Sequence, residues 1–243
     1  MQIAIVTDVH GNRPAFEAVI AGAEAAGVDE MWCLGDLVGY GAEPDACVEL
    51  AERHCSVCLA GNHDLGVIGV LSLEDFSRGA RIAAEWTAET ISEDTRDFLL
   101  ALSPEGDARG SGLFHASPRD PIWEYVLSGL TAEMCFDATD FRVSFIGHSH
   151  VALSFHRPEG EPTTGSTRRA GDELDLSSGN WLINPGGAGQ PRDGDPRAAW
   201  LLLDTDRQTA RWCREEYDIS AAQAAIRAAR LPDSLAERLQ YGQ

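Results

Sequence analysis

Three short apolar runs near the start of the chain each stop at a polar cluster, and this repetition constrains the fold more than any other feature. Residues 3–7 end in Asp8-Val9-His10-Gly11-Asn12, residues 31–34 close on Gly35-Asp36, and residues 56–60 lead into Gly61-Asn62-His63-Asp64. Pro14 stands where the first turn of a helix tolerates it, and the helix it opens runs to about Gly27. Pro44 opens a second helix that ends near His54. Strand, helix, strand, helix, strand with short apolar strands implies a parallel sheet covered by helices. Each polar cluster then lies just past its strand, where open α/β sheets place their ligand sites.

Downstream, Ser72 with Asp75 three residues on reads as the capped start of a helix reaching about Ile91, and Ser92 caps another ending before Pro104. This helical insertion, residues 72–103, follows the Gly61 cluster directly and either walls a site there or covers the sheet. From Leu113 onward the pattern changes to short strands between polar, glycine-rich turns. They are predicted around residues 113–114, 143–146, 151–156, 173–176, 181–183, 200–203 and 211–214, forming a largely antiparallel second sheet. Residues 159–171 read as an exposed hairpin loop. In the tail, Ala222, Ala225, Ile226 and Ala229 recur at helical spacing, followed after Pro232 by Leu235 and Leu239. Such a stripe is expected to dock on the chain's own sheet. Neither an internal repeat nor a linker interrupts the 243 residues, which are read as one domain, 1–243.

Charge narrows the choice of partners. A formal net charge of −20 repels nucleic-acid backbones and opposes any anionic ligand unless a local positive charge overrides it. Every basic side chain is arginine, so Schiff-base chemistry and the lysine-bearing phosphate loop are excluded. The six cysteines are scattered, and Cys55-x-x-Cys58 lacks the second pair of a structural zinc site. Read as strand residues, Cys55 and Cys58 point to opposite faces, and the thiols are expected to be buried in a reducing cytoplasm. Met1-Gln2 passes directly into the first strand without a leader pattern, and no apolar run is long enough to cross a bilayer. The expected location is cytoplasmic and the expected partner a small molecule.

The polar clusters, taken together, offer Asp8, His10, Asp36, Asn62, His115, His148 and His150 as metal ligands at strand ends. Five of the seven histidines fall in these short motifs, leaving His54 and His156 as structural. An Asp-x-His or a Gly-Asp alone is common. Gly147-His148-Ser149-His150 says more, since two imidazoles flank a serine at the end of an apolar strand. The whole series, in this order and each member after a strand, is a strong signal.

The series resembles the signature blocks of the calcineurin-like metallophosphoesterase superfamily. The string 7–12 and the later Asn184-Pro185-Gly186 are similar to its compact bacterial and archaeal branch, although Gly187 stands where that branch often has serine. The resemblance implies a four-layer α/β/β/α sandwich of two mixed β-sheets flanked by helices. It implies a dinuclear centre in which Asp8, His10 and His150 hold one divalent ion, Asn62, His115 and His148 hold the other, and Asp36 bridges them. A carboxylate between two cations relieves their repulsion, and a neutral amide at Asn62 leaves the site net positive within an acidic protein. Imidazole, carboxylate and amide without thiolate admit manganese, iron, zinc, cobalt or nickel, and disfavour magnesium and calcium.

The activity implied is hydrolysis of a phosphate mono- or diester by a metal-bridging hydroxide, the metals lowering the pKa of water from ~15.7 towards ~7. His63 assists the leaving group, and Asp64 orients it by accepting a hydrogen bond from one ring nitrogen. Arg119, Asn12 and Tyr40 follow metal blocks and are candidates to face the substrate. Arg192 reads as a surface residue. The competing functions are a pyrophosphohydrolase acting on dinucleoside polyphosphates or nucleotide diphosphates, and a non-catalytic metal-binding scaffold.

Overall fold

The computed structural model describes residues 1–243, and the alternation within its first strand sets the layering. β1 (Gln2–Val6) turns Ile3 and Ile5 to one face and Ala4 and Val6 to the other, and all four are fully buried. A strand buried on both faces lies inside a layered structure. α1 (Arg13–Ala26) starts at Asn12, whose side chain accepts the Ala15 N–H, and stops at Gly27 in the left-handed conformation. β2 (Glu30–Cys33), α2 (Pro44–His54) and β3 (Val57–Cys58) complete the expected alternation, with β1–β2 and β2–β3 paired in parallel.

Next come α3 (Asn62–Val67), α4 (Arg78–Thr90) and α5 (Glu93–Leu100). The Gly61 cluster is therefore the N-terminus of a short helix. Ser72 caps only a 3-10 turn over Leu73–Asp75, and it is Ser77 that caps α4, so the long helix begins five residues later than predicted. The remaining elements are β4 (Glu105–Ala108), β5 (Ser111–Phe114), α6 (Gly129–Asp137), β6 (Val143–Phe145), β7 (Leu153–Arg157), β8 (Thr164–Thr167), β9 (Glu173–Asp175), β10 (Asn180–Asn184), β11 (Ala198–Asp204), β12 (Thr209–Glu215), α7 (Ile219–Ala228) and α8 (Asp233–Glu237). The exposed stretch 159–171 is thus a hairpin that also contributes β8, an edge strand paired with β7.

The strands form two six-stranded mixed sheets, ordered β3-β2-β1-β11-β12-β9 and β4-β5-β6-β10-β7-β8. The second half of the chain does not build one antiparallel sheet as expected. β11, β12 and β9 extend the first sheet antiparallel from β1, while β5, β6 and β10 run parallel in the second. The near-continuous apolar run of β11 accounts for this, because it needs cover on both faces and finds it beside β1. Ile3, Ile5, Trp32, Phe145, Ile183 and Trp212 fill the space between the sheets. Phe16, Val19 and Val48 cover the outer face of the first sheet, and Cys135 and Phe136 of α6 cover that of the second. The result is a helix, sheet, sheet, helix sandwich.

Two local expectations change. The tail stripe docks on Phe76, Ala80, Ala83 and Tyr40 through Ala222, Ile226, Leu235 and Leu239, so it packs on α4 and its approach rather than on a sheet. All six cysteines are free. Cys55 ends α2 instead of lying in a strand, so Cys55 and Cys58 pack against the same helix-side cluster. No helix is long and apolar enough to cross a membrane.

Candidate metal centre

Parallel strands bring their C-terminal ends to one edge, and this chain does so in both sheets. The loops after β1 and β2 carry Asp8, His10 and Asp36, and the start of α3, after β3, carries Asn62; the loops after β5 and β6 carry His115, His148 and His150. All seven side chains are buried. Of the nine non-glycine residues with positive φ, six are here: Asp8, His10, Asp36, Tyr40, His148 and His150. Left-handed backbone at such residues persists only where surrounding structure enforces it, and it clusters at functional sites.

Asp8, His10, Asp36 and His150 form one group whose donor atoms lie within 4.8 Å of one another, and Asp36, His115 and His148 form a second. Asp36 is common to both. Its Oδ2 lies 3.5 Å from His10 Nε2 and 3.6 Å from His115 Nε2. Asn62 Oδ1 is 3.3 Å from His115 Nε2, joining the second group, and His150 Nε2 is 3.5 Å from Asp8 Oδ1.

The backbone fixes which ring nitrogens face inward. Nδ1 of His10, His115 and His150 meets the carbonyl oxygens of Val38, Leu34 and Gln190 at 3.0, 2.9 and 2.6 Å. A carbonyl accepts, so Nδ1 carries the proton and Nε2 presents a lone pair. His10 Nε2 and His150 Nε2 then oppose each other at 3.2 Å with no proton between them. Asp8 Oδ2, Asp36 Oδ2 and His148 Nε2 are buried without any hydrogen-bond partner. Converging acceptors with no donor are costly, and cations satisfy all of them at once. The residues fit divalent metal.

Protonation follows the same logic. Burial raises the Asp8 carboxyl to about 7 and pushes Asp36 well above the carboxylate range, Asp64 adding to the latter. Burial also drives His10, His148 and His150 well below the usual imidazole value. Both families of groups are held towards their neutral forms because the pocket is dry, a preference that a bound cation reverses for the carboxylates.

The Gly61 cluster divides. Gly61 has an ordinary extended φ of −94°; what demands glycine is space, since a Cβ there would collide with Asp36 Oδ1 and the Asp36 amide nitrogen. The expected hydrogen bond between His63 and Asp64 is absent. Asp64 Oδ2 accepts the Gly61 N–H at 2.8 Å and Oδ1 the Val38 N–H at 3.1 Å, so this carboxylate closes the first turn of α3 and pins the loop after β2. His63 Nδ1 is buried against Gly39 with no partner. Its ring lies 4.4 Å from Tyr40 and 5.0 Å from Phe76, and burial, with Arg192, lowers its pKa to about 3.

A cavity of about 190 Å³ opens on these groups. It is lined by Asp36, Asn62, His63, His148 and His150, by Asp75, Phe76, Ser77 and Ala80 of the insertion, and by Trp123, Tyr125, Tyr40 and Arg192. The insertion thus walls the site. A larger cleft of about 560 Å³, against Arg142, Arg157 and Glu159, contains none of these residues.

Among the candidates for facing substrate, Tyr40 lines the cavity and two others are corrected. Arg119 pairs with Glu124 at 3.0 Å and leaves the cavity free. Asn12 caps α1 and donates to the Gly189 carbonyl at 2.7 Å. Arg192, expected at the surface, is instead a lining residue. Its nearness to the Asn-Pro-Gly loop was the available signal; Trp123 and Tyr125 had none, because the turn after His115 follows no periodicity.

The Asn184 loop supports the metal-ligand loop. Asn184 donates to the Gly147 carbonyl at 2.7 Å and to Ser149 Oγ at 3.1 Å. Gly187 has His150 Cβ 2.9 Å from where its own Cβ would stand, so a serine at this position would crowd a candidate ligand.

The fold recurs in known proteins. The chain is 37% identical to an uncharacterised protein of Methanocaldococcus jannaschii, covering 99% of this chain and 98% of that one. It superposes on the crystal structure of a metallophosphoesterase from Sphaerobacter thermophilus with a TM-score of 0.90 at 41% identity, covering 100% and 99% of the two chains. A hypothetical protein from Pyrococcus horikoshii OT3 shares the fold at a TM-score of 0.79 and 17% identity, covering 100% and 98%. The sequence profile of the calcineurin-like phosphoesterase superfamily domain matches residues 1–208, a span that contains every member of the buried ligand cluster. On these grounds the chain belongs to the calcineurin-like phosphoesterase superfamily.

Proposed function

We propose that this protein hydrolyses a small phosphate ester with two divalent transition-metal ions. Asp8, His10 and His150 would hold one ion, Asn62, His115 and His148 the other, and Asp36 both. The observation that carries this reading is the convergence of buried, unpartnered acceptor atoms, Asp8 Oδ2, Asp36 Oδ2 and His148 Nε2, beside a cavity. Bound there, the metals would supply an acidified water and a positive field for the phosphoryl oxygens.

The chain's own residues do the remainder. The buried acceptors keep the ligand shell neutral or anionic and leave the cavity to the substrate. His63 is neutral at working pH; with Nδ1 packed against Gly39, the cheaper tautomer leaves a lone pair there and keeps the proton on Nε2. That N–H is then available to hydrogen-bond the leaving oxygen. Phe76, Trp123 and Tyr125 exclude water around it and offer apolar surface to the leaving group.

The test is metal-stripped protein reconstituted singly with manganese, iron, zinc, cobalt and nickel, then assayed on p-nitrophenyl phosphate, its bis-ester and a nucleotide panel. Activity that is absent without metal and restored by at least one of them is expected. Metal binding with no turnover of any ester would replace the enzyme with a metal-binding scaffold.

A further inference from the structure

We infer, building on the phosphoesterase reading above, that Arg192 makes the cavity selective for phosphate monoesters over diesters. Arg192 is the only arginine among the residues lining the cavity. In a chain of net charge −20 it makes no ion pair with any carboxylate. Its Nη2 donates instead to two neutral oxygens, Gln190 Oε1 at 2.9 Å and Tyr40 Oη at 3.3 Å, and its guanidinium carbon stands 5.6 Å from the centre of the Tyr40 ring. Its Nε is buried with no partner. A guanidinium left without a counter-ion in so acidic a protein, with a buried N–H unpaired, is poised for an anion.

Its placement is fixed by the metal-ligand loops. The Arg192 N–H donates to the His150 carbonyl at 3.1 Å, and Gln190, which holds the side chain of Arg192, also takes Nδ1–H of His150 on its backbone oxygen. Tyr40 contributes from the loop that carries Asp36, its backbone left-handed and its hydroxyl accepting from Arg192 Nη2. One ligand shell therefore sets the position of the cation.

Counting oxygens gives the selectivity. A diester phosphoryl group has two non-bridging oxygens, and cations held by the two ligand groups would account for both. A monoester has a third, and near neutral pH about one more negative charge. Arg192 is the group placed to take that third oxygen. The cavity volume of about 190 Å³ points the same way, since it lies below the roughly 300–1,000 Å³ of drug-sized sites and leaves little room for a second substituent.

The test compares wild type, Arg192→Gln and Arg192→Lys as metal-loaded full chains of verified metal content. Calorimetric titration with inorganic phosphate and with dimethyl phosphate reads binding, and kcat/KM on p-nitrophenyl phosphate and its bis-ester reads turnover. Wild type is expected to bind inorganic phosphate more tightly than dimethyl phosphate. Arg192→Gln should lose about tenfold or more for inorganic phosphate while changing dimethyl phosphate by less than about twofold, and the lysine variant should fall between. Equal binding of the two anions by wild type overturns the inference, as does equal weakening of both by Arg192→Gln. If the glutamine variant loses metal, the lysine variant is read by the same criterion. Should wild type show the anion preference yet hydrolyse no ester, the phosphoesterase reading fails and the selectivity of Arg192 stands.

Discussion

Asp36 accepts the backbone N–H of His63 at 2.8 Å through Oδ1, while its Oδ2 faces the imidazoles of His10 and His115. The carboxylate common to both ligand groups is therefore fastened to the first turn of α3, which carries His63 on the cavity wall. The carboxylate shared by the candidate ligand groups and the position of the cavity histidine are thus linked through one side chain.

Asp36→Asn should separate these two duties. An amide oxygen still accepts the His63 N–H, but an amide NH₂ replaces Oδ2 between two lone-pair-bearing imidazoles. Metal content measured by plasma mass spectrometry is expected to fall below two per chain, with activity falling alongside. Two fully occupied sites in the variant would contradict a bridging role.

His63→Ala leaves every candidate ligand in place, so both metals should remain. Turnover should fall by about 10²- to 10⁴-fold, most steeply for esters with poor leaving groups. A slope of log kcat against leaving-group pKa that matches wild type would remove His63 from the step.

Asp64→Ala is expected to act on stability. It strips two buried backbone donors, the N–H groups of Gly61 and Val38, of their shared acceptor. Urea unfolding should show a loss of about 2 kcal/mol or more. Because Asp64 does not touch the His63 ring, the pH profile of any activity retained should keep its midpoint; a shifted midpoint would restore an orienting role.

Metal affinity should weaken as pH falls through about 7. Asp8, with its pKa raised to about 7 by burial, keeps its proton below that pH, and metal must displace it. The sign for stability is the reverse in the metal-free protein. A raised carboxyl favours folding below its unfolded value near 3.8, and that contribution is lost as pH rises through about 7. The metal-induced increase in Tm should therefore grow from about pH 6 to about pH 8 in scanning calorimetry. An increase independent of pH over that range would mean that Asp8 is already ionised.

The seven ligand candidates were legible because each stands directly after a strand, and parallel strands deliver their ends to one place. What the sequence hid was set by contacts between distant segments. Asp64 looked like a partner for its neighbour His63, but its acceptor oxygens serve Gly61 and Val38, the latter 26 residues away. Arg192 looked superficial because the nearby Asn-Pro-Gly loop hints at the site but not at the contact with Tyr40, 152 residues earlier, which receives its N–H. The tail stripe was readable as a packing face. Its surface was not, since Phe76 and Ala80 belong to an insertion whose position only tertiary structure determines.

Neither ligand group is complete on one sheet. Asp8, His10, Asp36 and Asn62 descend from the first, His115, His148 and His150 from the second, and Trp32, Phe145, Ile183 and Trp212 fill the gap between them. That filling acts as a ruler. The separation across the centre is set by how thick these side chains make the interior, so a change of volume at Trp212, whose indole N–H also holds the Asn184 carbonyl at 3.0 Å, reaches the candidate ligands without touching them. Tuning of this centre is open to residues that no inspection of its lining would name.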